Sequence, residues 1–268
     1  MTSESFEMAA LEEEFQKALS SWHATHAYLL DYRVLAERER AEVVFDAAEL
    51  DRYARDEQRI YINPEKGVRR ERHIGMHELS HHLLYELEGG AFFARAGKLA
   101  HERARSLKGL MEQLCDRGGR ELAIPRPLLT EVFLRCPDDA ERAMRLAIRC
   151  KVSLALAGQR IADLERNRAV WGVVLGKSGF VEDHFGNGVK KAKYKVGRGF
   201  KLPDDHPLRQ PFAHMQLEFF KAVIPFKRSR TRMPRHMQAM ADELRGQTIV
   251  FFNSRRAVGR AMTPLFGA

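Results

Sequence analysis

His77-Glu78-Leu79-Ser80-His81 is an H-E-x-x-H sequence, the spacing at which two imidazoles can share one metal ion. Residues four apart on a helix lie on one face, about 5.4–6 Å from each other along it. Zinc takes histidine nitrogens at about 2.0–2.1 Å, so both rings can converge on a single ion. Glu78 follows the first histidine directly and points beside the metal, where a carboxylate can take a proton from an attacking water. The plainer reading is two partly exposed histidines on an amphipathic helix. The strongly helical texture around the motif weighs against it.

A catalytic zinc needs a third protein ligand and an open fourth position. His73 shares the face, but eight residues separate it from His81, about 12 Å on a straight helix. His82 points about 100° away from His81. The third ligand is therefore expected from another helix. Glu112 is the best placed, mid-helix and flanked by the core-type residues Leu110, Leu114 and Cys115. A carboxylate on such a face needs a partner, and a metal would supply one. An ordinary surface carboxylate is the competing reading. Asp116, one turn on, can accept a hydrogen bond from the free ring N–H of a ligand histidine. Cys115 reads as packing.

Residues 7–40 have helical spacing, and Val43–Phe45 and Arg59–Ile62 read as two strands of a hairpin closed by Pro64 and Gly67. A helix is expected from Arg70 to about Leu87, stopped by Gly89-Gly90. A second is expected from His101 to Ala123, ended by Ile124-Pro125-Arg126-Pro127. Leu128–Leu134, Asp139–Cys150 and Ser153–Glu165 read as three short helices, compatible with a helix-turn-helix. From Val170 the segments WGVVLG, KKAKYKV, MQLEFFKAVIPF and QTIVFF are β-rich, with MPRHMQAMADELR expected as a helix between the last two. The fold class is therefore α+β and multidomain, divided at 1–123, 124–168 and 169–268.

Composition limits the function further. The 268 residues carry 45 Lys+Arg against 36 Asp+Glu, a formal charge of +9. Residues 1–185 hold 28 basic and 31 acidic residues, whereas 186–268 hold 17 and 5, so the excess is entirely C-terminal. That basic stretch can grip nucleic acid, attract an acidic protein surface, or form a solvated face. The segment 126–166 is nearly balanced in charge, so a structural role is favoured over groove insertion by Ser153–Glu165 with Gln159 and Arg160 at base edges. No apolar run approaches the roughly 18 residues of a membrane span. The acidic N-terminus is unlike a targeting signal, and three cysteines without C-x-x-C spacing give no disulfide framework. A cytoplasmic protein is expected.

The stretches VRRERHIGMHELSHHLL and MEQLCDRGGRELAIPRPLL resemble the IrrE/ImmA-type zinc metallopeptidases. The order is the same: a strand ending in Ile62-Asn63, the H-E-x-x-H helix, then a helix with E-x-x-x-[ND] and an apolar-Pro ending. The resemblance spans roughly residues 40–257. One departure stands before the motif, where the family usually has Ala and this chain has Gly75-Met76. The resemblance implies a thermolysin-like minimal zinc-peptidase domain, a helix-turn-helix bundle, and a GAF-like C-terminal domain signalled by LPDDHP and VIPFKRSRTRMP. It implies His77, His81 and Glu112 as ligands of Zn2+, with Mn2+ as the alternative, and Glu78 as general base. It further implies site-specific cleavage of a helix-turn-helix (XRE-type) repressor, releasing a DNA-damage, radiation or desiccation response. His206, in Asp205-His206-Pro207, matches a residue of the resembling segment and is a candidate for signal sensing or substrate docking, against a satisfied turn histidine. The rival from another class is a metal- or ligand-responsive DNA-binding regulator on a vestigial peptidase fold. Retention of Glu78, which is not a ligand, favours the peptidase.

Overall fold

The computed structural model of the chain describes residues 3–102, 106–165, 170–187, 198–209, 214–222 and 235–252. They are α+β and fall into two compact units: Met1–Thr130 with Cys150–Ser153, and Glu131–Arg149 with Leu154–Ala268.

The first unit opens with α1 (Ser3–Thr25) and α2 (Tyr32–Arg38) where the periodicity predicts one long helix. The break has a local cause. Ala27 and Tyr28 turn at positive φ, and the Asp31 side chain accepts the Arg33 N–H at 3.0 Å, starting a new helix. β1 (Glu42–Phe45), β2 (Arg52–Ala54) and β3 (Arg59–Ile62) form a sheet in the order β1-β3-β2. The expected hairpin of Val43–Phe45 with Arg59–Ile62 is thus corrected. β1 and β3 run parallel, because the intervening residues supply β2, which pairs antiparallel with β3 and occupies its other edge.

α3 (Val68–Glu86) carries the H-E-x-x-H motif and ends where Gly89 and Gly90 take positive φ. The helix expected from His101 is preceded by an unforeseen one. α4 (Ala91–Glu102) comes first, and α5 (Leu107–Ala123) then starts at Ser106, whose hydroxyl accepts the Gly109 N–H. α5 packs along α3 on one side and α1 on another. Leu79, Leu83, Phe92, Leu114, Phe15 and Leu19 are buried in this unit, with the Phe15 and Phe92 rings stacked at 5.3 Å. Arg72 of α3 donates to the Leu30 carbonyl and, at 2.8 Å, to that of Cys150, which ties the start of the motif helix to chain segments on either side.

α6 (Arg126–Arg135) runs across the division between the units, and α7 (Asp139–Arg149) and α8 (Leu154–Leu164) belong to the second. They pack on an antiparallel sheet of β4 (Trp171–Gly176), β5 (Val181–Gly186), β6 (Leu217–Ala222), β7 (Arg235–Asp242) and β8 (Gln247–Phe252), ordered β5-β4-β8-β7-β6. The helix expected over MPRHMQAMADELR is the strand β7, a correction with a physical reason. β7 lies between β6 and β8, and Met237 to Asp242 are all buried. One face of β7 contributes Met237 and Ala239 to a cluster with Trp171, Val173 and Val250. The other presents Gln238, whose side-chain oxygen accepts the Asp139 N–H at 2.9 Å at the start of α7. With both faces covered, the alternation that marks a half-buried strand is missing. The basic segments KKAKYKV and VIPFKRSRTRMP lie outside the described residues.

Candidate metal centre

α3 and α5 meet where the functional side chains are. His77 Nε2 and His81 Nε2 lie 3.1 Å apart, and Glu112 Oε2 of α5 is 3.5 Å from the first and 3.7 Å from the second. A tetrahedral ion with bonds of about 2.0–2.1 Å spaces its donors roughly 3.3–3.4 Å apart, so these three atoms are spaced as a metal would need them. The donor chemistry agrees. Two imidazole nitrogens facing each other at 3.1 Å cannot both carry hydrogen, and a cation accepts both lone pairs at once. Among the described residues His77, Glu78 and His81 also form a group able to hold a metal, their possible ligand atoms lying within 4.8 Å of one another. Two carboxylates, Glu78 and Glu112, are therefore within reach of the histidine pair.

Their surroundings separate them. Glu78 is 7% exposed, and the backbone N–H of Tyr53 in β2 donates to its carboxylate. The Tyr53 hydroxyl sits 2.9 Å from His82 Nδ1, so β2 is fastened to α3 at two residues one helical turn apart, Glu78 and His82. Burial pushes the Glu78 carboxyl up to about 7. Glu112 is 47% exposed in its side chain and approaches the imidazoles from the opposite helix. Asp116 Oδ1 is 3.2 Å from His77 Nδ1, the arrangement that fixes a histidine's tautomer and turns Nε2 toward the site. Burial and the neighbouring His77 push the His81 ring down to about 4. Burial also works to lower His77, but the Asp116 bond and the charges of Glu78, Asp116 and Glu112 carry it up. Burial works to raise Asp116, and the His77 bond holds its carboxyl below the usual carboxylate range instead. A cation between the rings would favour the deprotonated form of every one of these groups.

Three features of the site escape a reading of residue types. Gly75 packs under Tyr32: a Cβ there would lie 2.4 Å from the ring. The Tyr32 hydroxyl donates to Glu71 at 2.7 Å, as does the Arg33 guanidinium at 2.6 Å, which holds α2 against the first turns of α3. Gly118 and Gly119 lie where α5 is tightly packed, and a Cβ on Gly119 would lie 2.8 Å from His77 Cα of α3. The signal was present as the paired glycines of Arg117-Gly118-Gly119-Arg120, which alone read as a weak point in a helix. Burial pushes the Cys115 thiol well up, so it sits in this packing as a small apolar group.

His206 lies in the second unit, buried, beside the turn Pro207–Arg209, and its Nδ1 accepts the Leu208 N–H at 3.2 Å. Gln159 and Arg160, the residues nominated for base edges, are engaged within that unit. Gln159 accepts the Gly186 N–H at 2.9 Å and donates to Asp163 at 2.8 Å, and Arg160 is buried. Gly158 lies against the Phe185 ring, so this side of α8 faces the sheet.

Residues 43–162 match the model of the Peptidase_M78 family, described as the IrrE N-terminal-like domain. The match takes in both metal helices. In that stretch the chain is similar to the IrrE/ImmA-type metallopeptidases. It is 27% identical over 203 residues to the radiation response metalloprotease IrrE of Deinococcus deserti, an alignment covering 69% of this chain and 68% of that protein. A solved structure described as a Mycobacterium tuberculosis transcriptional regulator aligns over 91% of this chain and 74% of its own, with 14% identity and a TM-score of 0.46. Similarity to a metallopeptidase family is consistent with a metal cofactor, and His77, Glu78 and His81 form a group able to hold one. Among the described residues no helix is long and apolar enough to cross a membrane.

Proposed function

We propose that the chain is a metal-dependent endopeptidase that cleaves a helix-turn-helix (XRE-type) transcriptional repressor and so releases a stress response to DNA damage, radiation or desiccation. One observation carries the reading: His77 Nε2, His81 Nε2 and Glu112 Oε2 converge to within 3.1–3.7 Å, with the buried Glu78 carboxylate beside them. In this reading His77, His81 and Glu112 hold Zn2+, with Mn2+ as the alternative, and Asp116 orients His77. The bound ion supplies Lewis acidity that polarises the scissile carbonyl and activates water. Glu78 takes the proton of the attacking water and passes it to the leaving amine, a shuttle that needs a carboxylate close to the ion but not committed to it. The Tyr53 N–H fixes that carboxylate, and the buried surroundings limit competing water.

The remainder of the chain serves this activity. Residues 124–168 are taken as the helix-turn-helix portion and 169–268 as a GAF-like portion, whose basic excess docks an acidic partner surface, with His206 contributing to docking or sensing. The location that suits a repressor substrate is the cytoplasm. The rival reading, a DNA-binding regulator, draws on α8, whose Gln159 is bonded to Gly186 and Asp163 and whose Arg160 is buried. The test incubates the protein and its Glu78→Gln variant with a purified XRE-type repressor from the same genome, over Zn2+ and Mn2+. Cleavage by the unaltered chain alone is expected. Cleavage by both, or by neither with either metal, contradicts the peptidase reading.

A further inference from the structure

Glu112, Asp116 and Gly119 recur at spacings of four and three residues, so they form one stripe along α5. Each meets a different part of His77. Glu112 Oε2 is 3.5 Å from its Nε2, Asp116 Oδ1 is 3.2 Å from its Nδ1, and a Cβ on Gly119 would stand 2.8 Å from its Cα and 3.0 Å from its backbone nitrogen. The first two contacts are chemical and the third is steric. The atoms facing Gly119 belong to helix backbone and cannot rotate away. Gly118 is as tightly enclosed, but a Cβ there would meet side chains: Ser80 Oγ at 2.3 Å, Leu19 Cδ1 at 2.7 Å and Phe15 Cε1 at 2.9 Å. Gly118 therefore faces the core of the unit, whereas Gly119 faces the ligand's own main chain.

We propose that Gly119 is a positioning residue of the metal centre: its missing side chain sets the distance at which α5 delivers Glu112 and Asp116 to His77. The inference rests on reading His77, His81 and Glu112 as ligands. Carbon atoms pack at about 3.5–4.0 Å, so a methyl at 119 drives the two helices apart by roughly half an ångström or more. Metal–ligand distances hold to within about 0.2 Å. The same displacement stretches the Asp116 contact past the distance of a sound hydrogen bond. One methyl thus loosens a ligand and the group that orients another. Helix propensity by itself points the other way, since Ala strengthens a helix relative to Gly.

The test compares the full chain with its Gly119→Ala and Gly118→Ala variants. Co2+ and Zn2+ titrations report affinity, the visible Co2+ spectrum reports ligand geometry, and circular dichroism melts of the metal-free chains report stability. Gly119→Ala is expected to bind both ions roughly tenfold or more weakly, with an altered Co2+ spectrum, the scale on which orienting groups act. Gly118→Ala is expected to melt earlier while keeping near-unaltered metal affinity and spectrum. Unaltered affinity and spectrum in Gly119→Ala overturn the inference, and so does an equal loss in Gly118→Ala. An unaltered chain that binds neither ion strikes the metal-centre reading itself, which tells the two failures apart. Should Gly119→Ala lose its helical signal without metal, refolding at raised Zn2+ decides: recovery supports the inference. Absence of recovery at any concentration overturns it, because Gly119 would then serve the fold as a whole.

Discussion

At the scale of single residues, the proposed function divides labour between two carboxylates that both lie within reach of the same histidines. Glu78 is buried and held by a backbone N–H from β2, while Glu112 comes from the facing helix with half its side chain in solvent. A group that shuttles protons must stay uncommitted, and a ligand must not, so the proposed function gives the residue on the motif helix the first role and its partner on α5 the second. Asp116 has a third role, since its bond to His77 Nδ1 fixes which nitrogen faces the centre. Asp116→Asn removes the charge and keeps the shape. It is expected to weaken Zn2+ binding by about 10–100-fold while leaving the metal-free melting temperature close to unaltered, measured by competitive titration and circular dichroism.

At the scale of elements, the closeness of His77 and His81 was legible because a helical period of 3.6 leaves them no other relation than neighbours on one face. Glu112 was legible as a carboxylate among apolar residues. The closeness of the two helices was not, because it is written in absences: Gly75, Gly118 and Gly119 each make room for a group distant in sequence. The same limit explains β7, whose Met237–Asp242 stretch is covered on both faces and carries no alternating pattern, and the β1–β3 pairing, where a three-residue strand reverses the expected direction. Gly75→Ala tests this level. Tyr32 is buried and its hydroxyl is bonded to Glu71, so the ring has little freedom to retreat from a methyl at 2.4 Å. A loss of about 1–3 kcal/mol is expected, read as an earlier denaturant midpoint with an unaltered slope. A neutral outcome would show that α2 and α3 are less firmly docked than the contact implies.

At the scale of the whole molecule, the net charge of +9 separates from the chemistry, since residues 1–185 hold slightly more acidic than basic groups and the excess falls in 186–268. Stability across pH has a source in the first unit. His23 is 1% exposed, its Nε2 lies 2.6 Å from the Leu29 carbonyl, and burial lowers its pKa below 6.5. With the folded value below the unfolded one, the unfolded chain binds more protons as the pH falls past about 6.5. The contribution of His23 is therefore complete above that pH and lost progressively below it. His23→Gln, whose amide can still donate to Leu29, is expected to melt with a shallower decline between pH 7 and 5 than the unaltered chain. An equal decline would place the acid sensitivity elsewhere. The proposed roles of the two carboxylates are separated by Zn2+ stoichiometry and affinity in the unaltered chain and in Glu112→Gln and Glu78→Gln. One ion per chain is expected, bound comparably by Glu78→Gln and lost or sharply weakened in Glu112→Gln. The reverse pattern, with Glu112→Gln retaining the ion and Glu78→Gln losing it, would exchange the two roles and overturn the proposed site.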